Sequence, residues 1–219
     1  MTKITTDYLK FKLKTKLYNS KVSYKLYQEF KRKKIIFVHM PKTAGKSLRK
    51  LMFGQEHGAV HEQILTTEKL FANHQDFFKF CIVRNPYTRF QSAYLYLKNG
   101  GNQSRYDYLA QEEMLNAFNN FEDFAENWNN NARLNSHPIL KTQAYYLNYK
   151  PQNVNFIGYY EQLNKDVNYI LTKLNINQSL PHLNQTSPSV HKPKLSDMSR
   201  ESIYNHYQVD FKLFNYPKV

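Results

Sequence analysis

The sequence predicts a three-layer α/β domain in which helices flank a small, mostly parallel central sheet. Short runs of β-branched and aromatic residues recur at about 35–39, 78–83 and 154–157, as expected of buried strands. Apolar residues at helical spacing follow each run, so that strands and helices alternate along the chain. The chain has 219 residues, which is long enough for one domain with a hydrophobic core and short for two. We therefore predict a single domain over residues 1–219.

Residues 1–33 are predicted to form a basic, partly helical segment that leads into this domain. Lysines occur throughout the segment and interrupt every apolar stretch, so a signal peptide is not expected. Its apolar residues stand at mixed spacing. We expect them to pack on the domain, and the alternative is docking on an anionic membrane surface.

The first predicted strand leads into a short turn that carries two lysines. The sequence there is I-I-F-V-H-M-P-K-T-A-G-K-S-L, and a helix is predicted at 45–53. Backbone N–H groups and the positive end of a helix dipole meet where such a helix begins, so the turn suits a phosphate or sulfate. Lys42 and Lys46 add mobile charges, and Thr43 and Ser47 add hydroxyl donors.

The second predicted strand, at 78–83, ends at Arg84, and a helix is predicted over 87–97 with Ser92 inside it. The carboxyl ends of parallel strands share one edge of a sheet, and ligands bind at that edge. We therefore expect Arg84 and the Lys42 loop to face the same pocket. A ligand with two separate anionic groups would satisfy both.

The rest of the chain is predicted to be mainly helical. Further helices are predicted at 61–71, 107–128, 161–174 and 196–213, and loops at 99–102 and 181–193.

The composition points to an anionic ligand. The formal net charge of +14 attracts nucleotides, nucleic acid, anionic glycans or an anionic membrane surface. Cys81 is the single cysteine, so no intrachain disulfide can form, and we expect it to be a small buried apolar residue. No Cys/His set has the spacing of a zinc site, and no stretch approaches the roughly 20 apolar residues of a membrane span.

The two strand-turn-helix motifs resemble those of a known enzyme family. H-M-P-K-T-A-G-K-S-L resembles the 5′-phosphosulfate loop of sulfotransferases, and C-I-V-R-N-P-Y-T-R-F-Q-S-A-Y resembles their 3′-phosphate element. The chain is most similar to the carbohydrate sulfotransferases, which include bacterial members and the Golgi enzymes acting on chondroitin and heparan. The resemblance extends over most of the chain from Lys34 onward. It departs at Lys46, where threonine is usual, and at Tyr159, where a basic residue is common.

The resemblance implies a P-loop-like sulfotransferase fold and a reaction. A sulfonate group would pass from 3′-phosphoadenosine 5′-phosphosulfate (PAPS) to a hydroxyl of a carbohydrate or glycoconjugate by in-line displacement. Lys42 would be catalytic, and no metal would be required if lysines neutralise the leaving oxygen. Golgi relatives carry a membrane anchor that this sequence does not show, so we expect a cytoplasmic enzyme of the bacterial type. The residues implied in donor binding are Lys42, Thr43, Ala44, Gly45, Lys46, Ser47, Leu48, Arg84 and Ser92.

The acceptor hydroxyl needs a general base, and two histidines are candidates. His57 and His61 follow the first helix, in a segment where many relatives place a histidine. Histidine suits the role because its unperturbed pKa lies near neutral pH. His57 is slightly favoured over His61 because it is expected to lie in a flexible loop. Glu62 is the carboxylate alternative. His39 ends the first strand and is expected to be structural.

Two other functions stay open at the level of sequence. A P-loop kinase or NTPase is one, because A-G-K-S imitates the end of a Walker A motif, but Met40 stands where that motif has its first glycine. A basic nucleic-acid-binding domain is the other, supported only by charge and aromatic content. We expect a sugar or glycoconjugate as partner and no nucleic acid. The sequence indicates neither the particular acceptor nor the oligomeric state.

Overall fold

The computed structural model describes residues 24–54, 61–102, 104–178 and 193–218. A parallel sheet in the order β1-β2-β3 lies at its centre. Pairing aligns Ile35 with Phe78 between the first two strands, and Phe80 with Phe156 between the second and third. The strands are β1 (Ile35–Val38), β2 (Phe78–Val83) and β3 (Phe156–Tyr159).

Helices flank this sheet, and the predicted α/β fold with a small parallel sheet is confirmed. The α-helices of the described residues are α1 (24–33), α2 (Gly45–Phe53), α3 (Ile64–Glu68), α4 (Pro86–Lys98), α5 (Arg105–Ala117), α6 (Phe121–Asn127), α7 (Ala132–Ser136), α8 (Gln143–Tyr146), α9 (Leu163–Lys173) and α10 (Asp197–Leu213). In the part of the chain that is described, none of these helices has the length and apolar character needed to cross a membrane.

The described residues form two apolar cores. One surrounds the sheet, where β1 is buried along its whole length and β2 from Phe80 onward. A strand covered on both faces is expected to be apolar at successive positions, as β1 is throughout and β2 is from Phe80 to Val83. The second core lies among α4, α5, α6 and α10 and includes Phe90, Phe124 and Trp128. The buried strands therefore carry Val38 and Val83 to one firmly packed edge.

Three predicted elements differ from the structure. The helical region predicted at 107–128 is two helices, α5 and α6, because the backbone is extended at Phe118 and Asn120, and the Asn120 side chain caps α6 by accepting the Asp123 N–H. The helix predicted at 61–71 is only α3, because two short i to i−3 bonds end it: Leu70 N–H donates to the Thr67 carbonyl and Phe71 N–H to the Glu68 carbonyl. Phe71 is then buried in the core around the sheet. The third strand begins at Phe156 instead of 154.

The later start of β3 has a local cause. Residues Pro151–Asn153 form a 3-10 turn, and the side chain of Asn155 accepts the Lys79 N–H at 2.8 Å. The Asn155 side chain thus accepts a backbone donor of β2, and regular pairing between β2 and β3 begins only at Phe156. The predicted loop at 181–193 lies almost wholly outside the described residues, as do residues 1–23 of the basic segment.

Candidate active site

The loop between β1 and α2 has the shape of an anion-binding turn. Lys42 and Ala44 adopt left-handed backbone angles, with φ of 67° and 65°. Alternating left- and right-handed residues turn successive N–H groups toward one concave side. Ala44 is the N-cap residue of α2 and has no side chain that could cap the first turn. The Thr43 hydroxyl donates to the Met40 carbonyl at 2.9 Å and closes the turn from behind.

Gly45 is required at the start of α2 by the side chain of His39. A Cβ atom at Gly45 would lie 1.8 Å from Cδ2 and 1.9 Å from Nε2 of that ring. His39 is itself buried, and its Nδ1 finds no hydrogen-bond partner among the described residues. The backbone of the helix start can therefore approach the ring only because glycine has no side chain.

The Lys42 ammonium lies on the face of an aromatic ring. Its Nζ is 4.5 Å from the centroid of the Tyr96 ring on α4, a cation–π distance. Burial, helped by the charges of Arg84 and Lys46, lowers the pKa of Lys42 to about 8, and Asp107 opposes that shift. The side chain is therefore mainly charged at neutral pH and is poorly solvated, which suits it to an incoming anion.

Arg84 joins the end of β2 to the Lys42 loop. Its Nη1 donates to the Lys42 carbonyl at 3.1 Å, and its Nε donates to the Thr88 hydroxyl at 3.0 Å. The guanidinium carbon lies 4.2 Å from the centroid of the Tyr160 ring. The structure thus brings together, at one edge of the sheet, the two cationic segments that follow β1 and β2.

Ser92 lies on α4 between the two cations. Thr88, one turn before it, contacts Arg84, and Tyr96, one turn after it, contacts Lys42. Residues four apart share one face of a helix, so the half-buried Ser92 belongs to the same face. This face of α4 (Thr88, Ser92 and Tyr96) runs from one cation to the other.

The remaining residues of the loop after β1 and the start of α2 differ in exposure. Lys46 is exposed, and its Nζ donates to Oδ1 of Asn102 at 2.6 Å, across the site in the α4–α5 loop. Ser47 is buried, and Leu48 is buried in the core around the sheet. Leu48 can therefore offer a ligand only its backbone.

His61 is held in one tautomer by a carbonyl. Its Nδ1 lies 2.9 Å from the His39 carbonyl oxygen, which can only accept, so Nδ1 carries the hydrogen and Nε2 has a lone pair. Burial and the charges of Arg49 and Lys46 lower the pKa of His61 to about 4, so the ring is neutral at pH 7. Glu62 accepts a hydrogen bond from the Tyr27 hydroxyl at 2.8 Å. His57 lies outside the described residues.

Sequence reasoning missed Asp107, on the first turn of α5. Its Oδ2 accepts hydrogen bonds from the Tyr96 hydroxyl (3.1 Å), the Asn102 N–H (3.0 Å) and the Ser104 hydroxyl (2.9 Å). His137 Nε2 lies 3.4 Å from its Oδ1. Burial alone would raise the pKa of this carboxyl, but its polar partners lower it to about 2. The S-x-x-D spacing at a helix start was the available signal, and it indicates only a cap.

A cavity opens on the Arg84 side of α4. It has a volume of about 530 Å³, and Thr88 and Gln91 contribute to its wall together with Lys194 and Arg200. In the ranges that the structure describes, no group of three or more His, Cys, Asp or Glu residues could hold a metal ion.

Comparison with known proteins identifies a family. The model of the sulfotransferase family matches residues 28–217, from within α1 to beyond the end of α10. Searches of curated proteins and of solved structures return no match. The matched range includes the loop after β1, the end of β2 and the face of α4 between them. The chain therefore belongs to the sulfotransferase family.

Proposed function

We propose that the protein transfers a sulfonate group from PAPS to a hydroxyl of a carbohydrate or glycoconjugate. The observation that carries the donor assignment is the 3.1 Å hydrogen bond from Arg84 to the Lys42 carbonyl. This contact places two positively charged sites side by side, one after β1 and one after β2, and each could bind an anionic group. PAPS carries a 5′-phosphosulfate and a 3′-phosphate, so it offers one anionic group to each site.

The Lys42 loop is the better site for the 5′-phosphosulfate. The left-handed turns and the helix start direct N–H groups to one side, and the Lys42 ammonium lies beside them. Bound there, the donor supplies an activated sulfonate for in-line displacement. The role of Lys42 is to neutralise the negative charge that grows on the leaving oxygen, where a fixed cation in a poorly solvated site has its largest effect.

Arg84 and Ser92 suit the 3′-phosphate. The planar guanidinium can donate two parallel hydrogen bonds to a phosphate, and Ser92 adds a hydroxyl donor from the same face of α4. The cavity beside Thr88 extends this region toward Lys194. These features support the binding of a nucleotide with a second phosphate, in preference to one with a single 5′-phosphate.

The candidates for the general base are His57, His61 and Glu62. The geometry of the described residues favours His61 over Glu62. Its Nε2 has a lone pair, because Nδ1 donates to the His39 carbonyl. The pKa of about 4 in the free protein makes it a weak base. A bound anionic donor would offset the charge of Lys46 and move this pKa toward neutral, where a base is most effective.

The carbohydrate acceptor is supported by the resemblance of the two motifs to carbohydrate sulfotransferases. The acceptor would approach near His61, whose Nε2 lone pair could take the hydroxyl proton. Transfer of radiolabelled sulfonate from PAPS to a panel of sugars and glycosaminoglycan fragments tests this part. Labelling of protein or phenol acceptors alone would contradict it.

Calorimetry with nucleotides tests the donor assignment. Adenosine 3′,5′-bisphosphate should bind without metal and about 10- to 100-fold more tightly than adenosine 5′-monophosphate, because one charged hydrogen-bonded contact is worth roughly 1.5–3 kcal/mol. Arg84→Ala should remove most of this difference. Lys173→Ala, at the end of α9, removes the same charge outside the site and should preserve it. Equal affinity of the two nucleotides, or binding of ATP only with Mg²⁺, would overturn the donor assignment, and the second result would favour a kinase.

A further inference from the structure

The Asp107 carboxylate is the centre of a hydrogen-bonded cluster beside the donor loop. Its Oδ2 accepts from the Tyr96 hydroxyl, the Asn102 N–H and the Ser104 hydroxyl. The side chain is 10% exposed. The approach is so close that a Cβ atom at Gly101, whose φ is +61°, would lie 2.6 Å from the Asp107 side chain. The loop before α5 is thus shaped around this carboxylate.

Two of these partners each contact one lysine of the donor loop. Tyr96 donates its hydroxyl to Asp107 and offers its ring to the Lys42 ammonium, 4.5 Å from the centroid. Asn102 donates its backbone N–H to Asp107 and accepts from Lys46 Nζ at 2.6 Å with its side chain. One carboxylate therefore reaches both lysines through one intermediate residue each.

Capping of α5 does not explain these contacts. The Ser104 side chain caps the helix by accepting the Asp107 N–H, and that bond needs neither Tyr96 nor Asn102. The long side chain of Lys46 is what reaches Asn102, 56 residues away in the sequence. The cluster thus makes contacts with Lys42 and Lys46 that a helix cap does not require.

We propose that Asp107 is a positioning residue for sulfonate transfer, which sets the place of the Lys42 ammonium through Tyr96 and that of Lys46 through Asn102. The inference rests on the proposed function. A phenol that donates to a carboxylate has a more negative ring face, which strengthens its attraction for the ammonium above it. Asp107 also raises the pKa of Lys42, against the cations Arg84 from the end of β2 and Lys46 from α2.

Three substitutions separate the two links. Tyr96→Phe keeps the ring under Lys42 but removes the bond to Asp107, and it should lower kcat about three- to tenfold with little change in the Kd of adenosine 3′,5′-bisphosphate. Asn102→Ala should raise that Kd by a similar factor and leave kcat nearly unchanged. Asp107→Asn should do both and move the basic limb of the pH–rate profile to lower pH. Asp123→Asn is the matched control, because Asp123 occupies the equivalent capping position in the first turn of α6.

A titration of the ligand-free protein keeps this inference separate from the proposed function. The ¹³Cε and ¹Hε resonances of Lys42 report its pKa and its place over the Tyr96 ring, whether or not PAPS is the donor. We expect Asp107→Asn to lower that pKa and Tyr96→Phe to shift these resonances, with Asp123→Asn matching the wild type. Unchanged Lys42 resonances in both folded variants would overturn the inference. If Asp107→Asn does not fold, the Lys42 resonances of Tyr96→Phe decide the link to Lys42, and the Kd measured for Asn102→Ala decides the link to Lys46. Absence of bisphosphate binding by the wild type would instead contradict the proposed function.

Discussion

The His61 side chain shows how one hydrogen bond defines what a residue can do. Because Nδ1 donates to the His39 carbonyl, Nε2 is the only ring nitrogen that could accept a proton. An asparagine at this position can place its amide N–H where Nδ1 is, but it has no titrating nitrogen. The substitution His61→Asn therefore tests base catalysis while keeping the local structure.

We expect His61→Asn to lower turnover by about 10²–10⁴ and to remove the acidic limb of the pH–rate profile. The Kd of adenosine 3′,5′-bisphosphate should stay near the wild-type value, because the base contacts the acceptor and not the nucleotide. Steady-state kinetics with the acceptor and calorimetry with the nucleotide measure the two quantities. Near wild-type turnover with the acidic limb retained would exclude His61, and His57→Asn would then be the next variant, followed by Glu62→Gln.

Lys42 and Arg84 are expected to fail in different ways when they are removed. Lys42→Ala should lower kcat by about 10²–10³, since its charge acts on an oxygen that becomes negative in the transition state. Arg84→Ala should mainly raise the Kd of the nucleotide, because the 3′-phosphate is remote from the transferred group. The ratio of the kcat effect to the Kd effect in each variant is the measurement. The reverse pattern would show that the two roles are exchanged.

At the residue scale, site residues that belong to a continuous sequence motif could be predicted. Those that reach the site only through tertiary contacts could not. The Lys42 loop and Arg84 could be assigned to one edge because parallel strands end together. Tyr96 and Asp107 could not be assigned in this way, since their contacts depend on how α4 and α5 pack. The S-x-x-D pattern marks Asp107 only as part of a helix cap, and Tyr96 stands in the pattern of an ordinary amphipathic helix.

At the element scale, β3 is held against its neighbours by the absence of a side chain. A Cβ atom at Gly158 would lie 2.6 Å from Cδ1 of Ile82 on β2 and 3.0 Å from Cβ of Asp166 on α9. The Asp166 carboxylate accepts the Tyr159 N–H at 2.6 Å, so α9 cannot easily move away from the strand.

The substitution Gly158→Ala should therefore destabilise the protein by about 1–3 kcal/mol, as overpacking of a core does. Adding Ile82→Val removes Cδ1, so the double variant should recover part of the loss. Urea unfolding of the two single variants and the double variant measures the coupling. Gly54→Ala is a useful control, because Gly54 has a φ of +69° and no atom near its missing Cβ, so its cost should be conformational and not rescued by Ile82→Val. Strict additivity of Gly158→Ala and Ile82→Val would contradict the explanation.

At the element scale, helices and strands with a long apolar pattern were predicted more accurately than short ones. The bounds of α2, β2 and α4 follow closely from apolar runs bounded by Pro41 and Pro86. Short elements such as α3 and β3 were predicted less accurately, because their ends are decided by single local bonds: backbone bonds of Leu70 and Phe71 end α3, and the Asn155 side chain delays β3. Such bonds leave no periodic trace in a sequence.

At the scale of the whole molecule, several histidines share one electrostatic property. His39, His61 and His206 all have a lowered pKa, in each case mainly because burial disfavours the charged ring, and that of His61 and His206 falls to about 4. Their rings lie against other aromatic side chains, and His206 is 4.4 Å from Trp128 between ring centroids. The fold thus holds these rings neutral at pH values where an unfolded chain would protonate them.

This property predicts that the protein loses stability in mild acid. Between pH 6.5, the ordinary pKa of histidine, and about 4, the unfolded chain binds more protons than the folded one, so the free energy of unfolding rises with pH and falls as the solution is acidified. Each histidine should contribute about 1.4 kcal/mol per pH unit within this window. Asp107, whose polar partners lower its pKa to about 2, also destabilises the fold on acidification, but only below its ordinary pKa of 3.8, so this effect is separable from that of the histidines. Urea unfolding at half-unit steps from pH 7.5 to 4.5 measures how the free energy of unfolding depends on pH, and so the number of protons taken up on unfolding. That number should be lower by about one in His61→Asn and by about one in His206→Asn. A number that is the same in both variants and the wild type would show that these histidines are solvated in the folded protein.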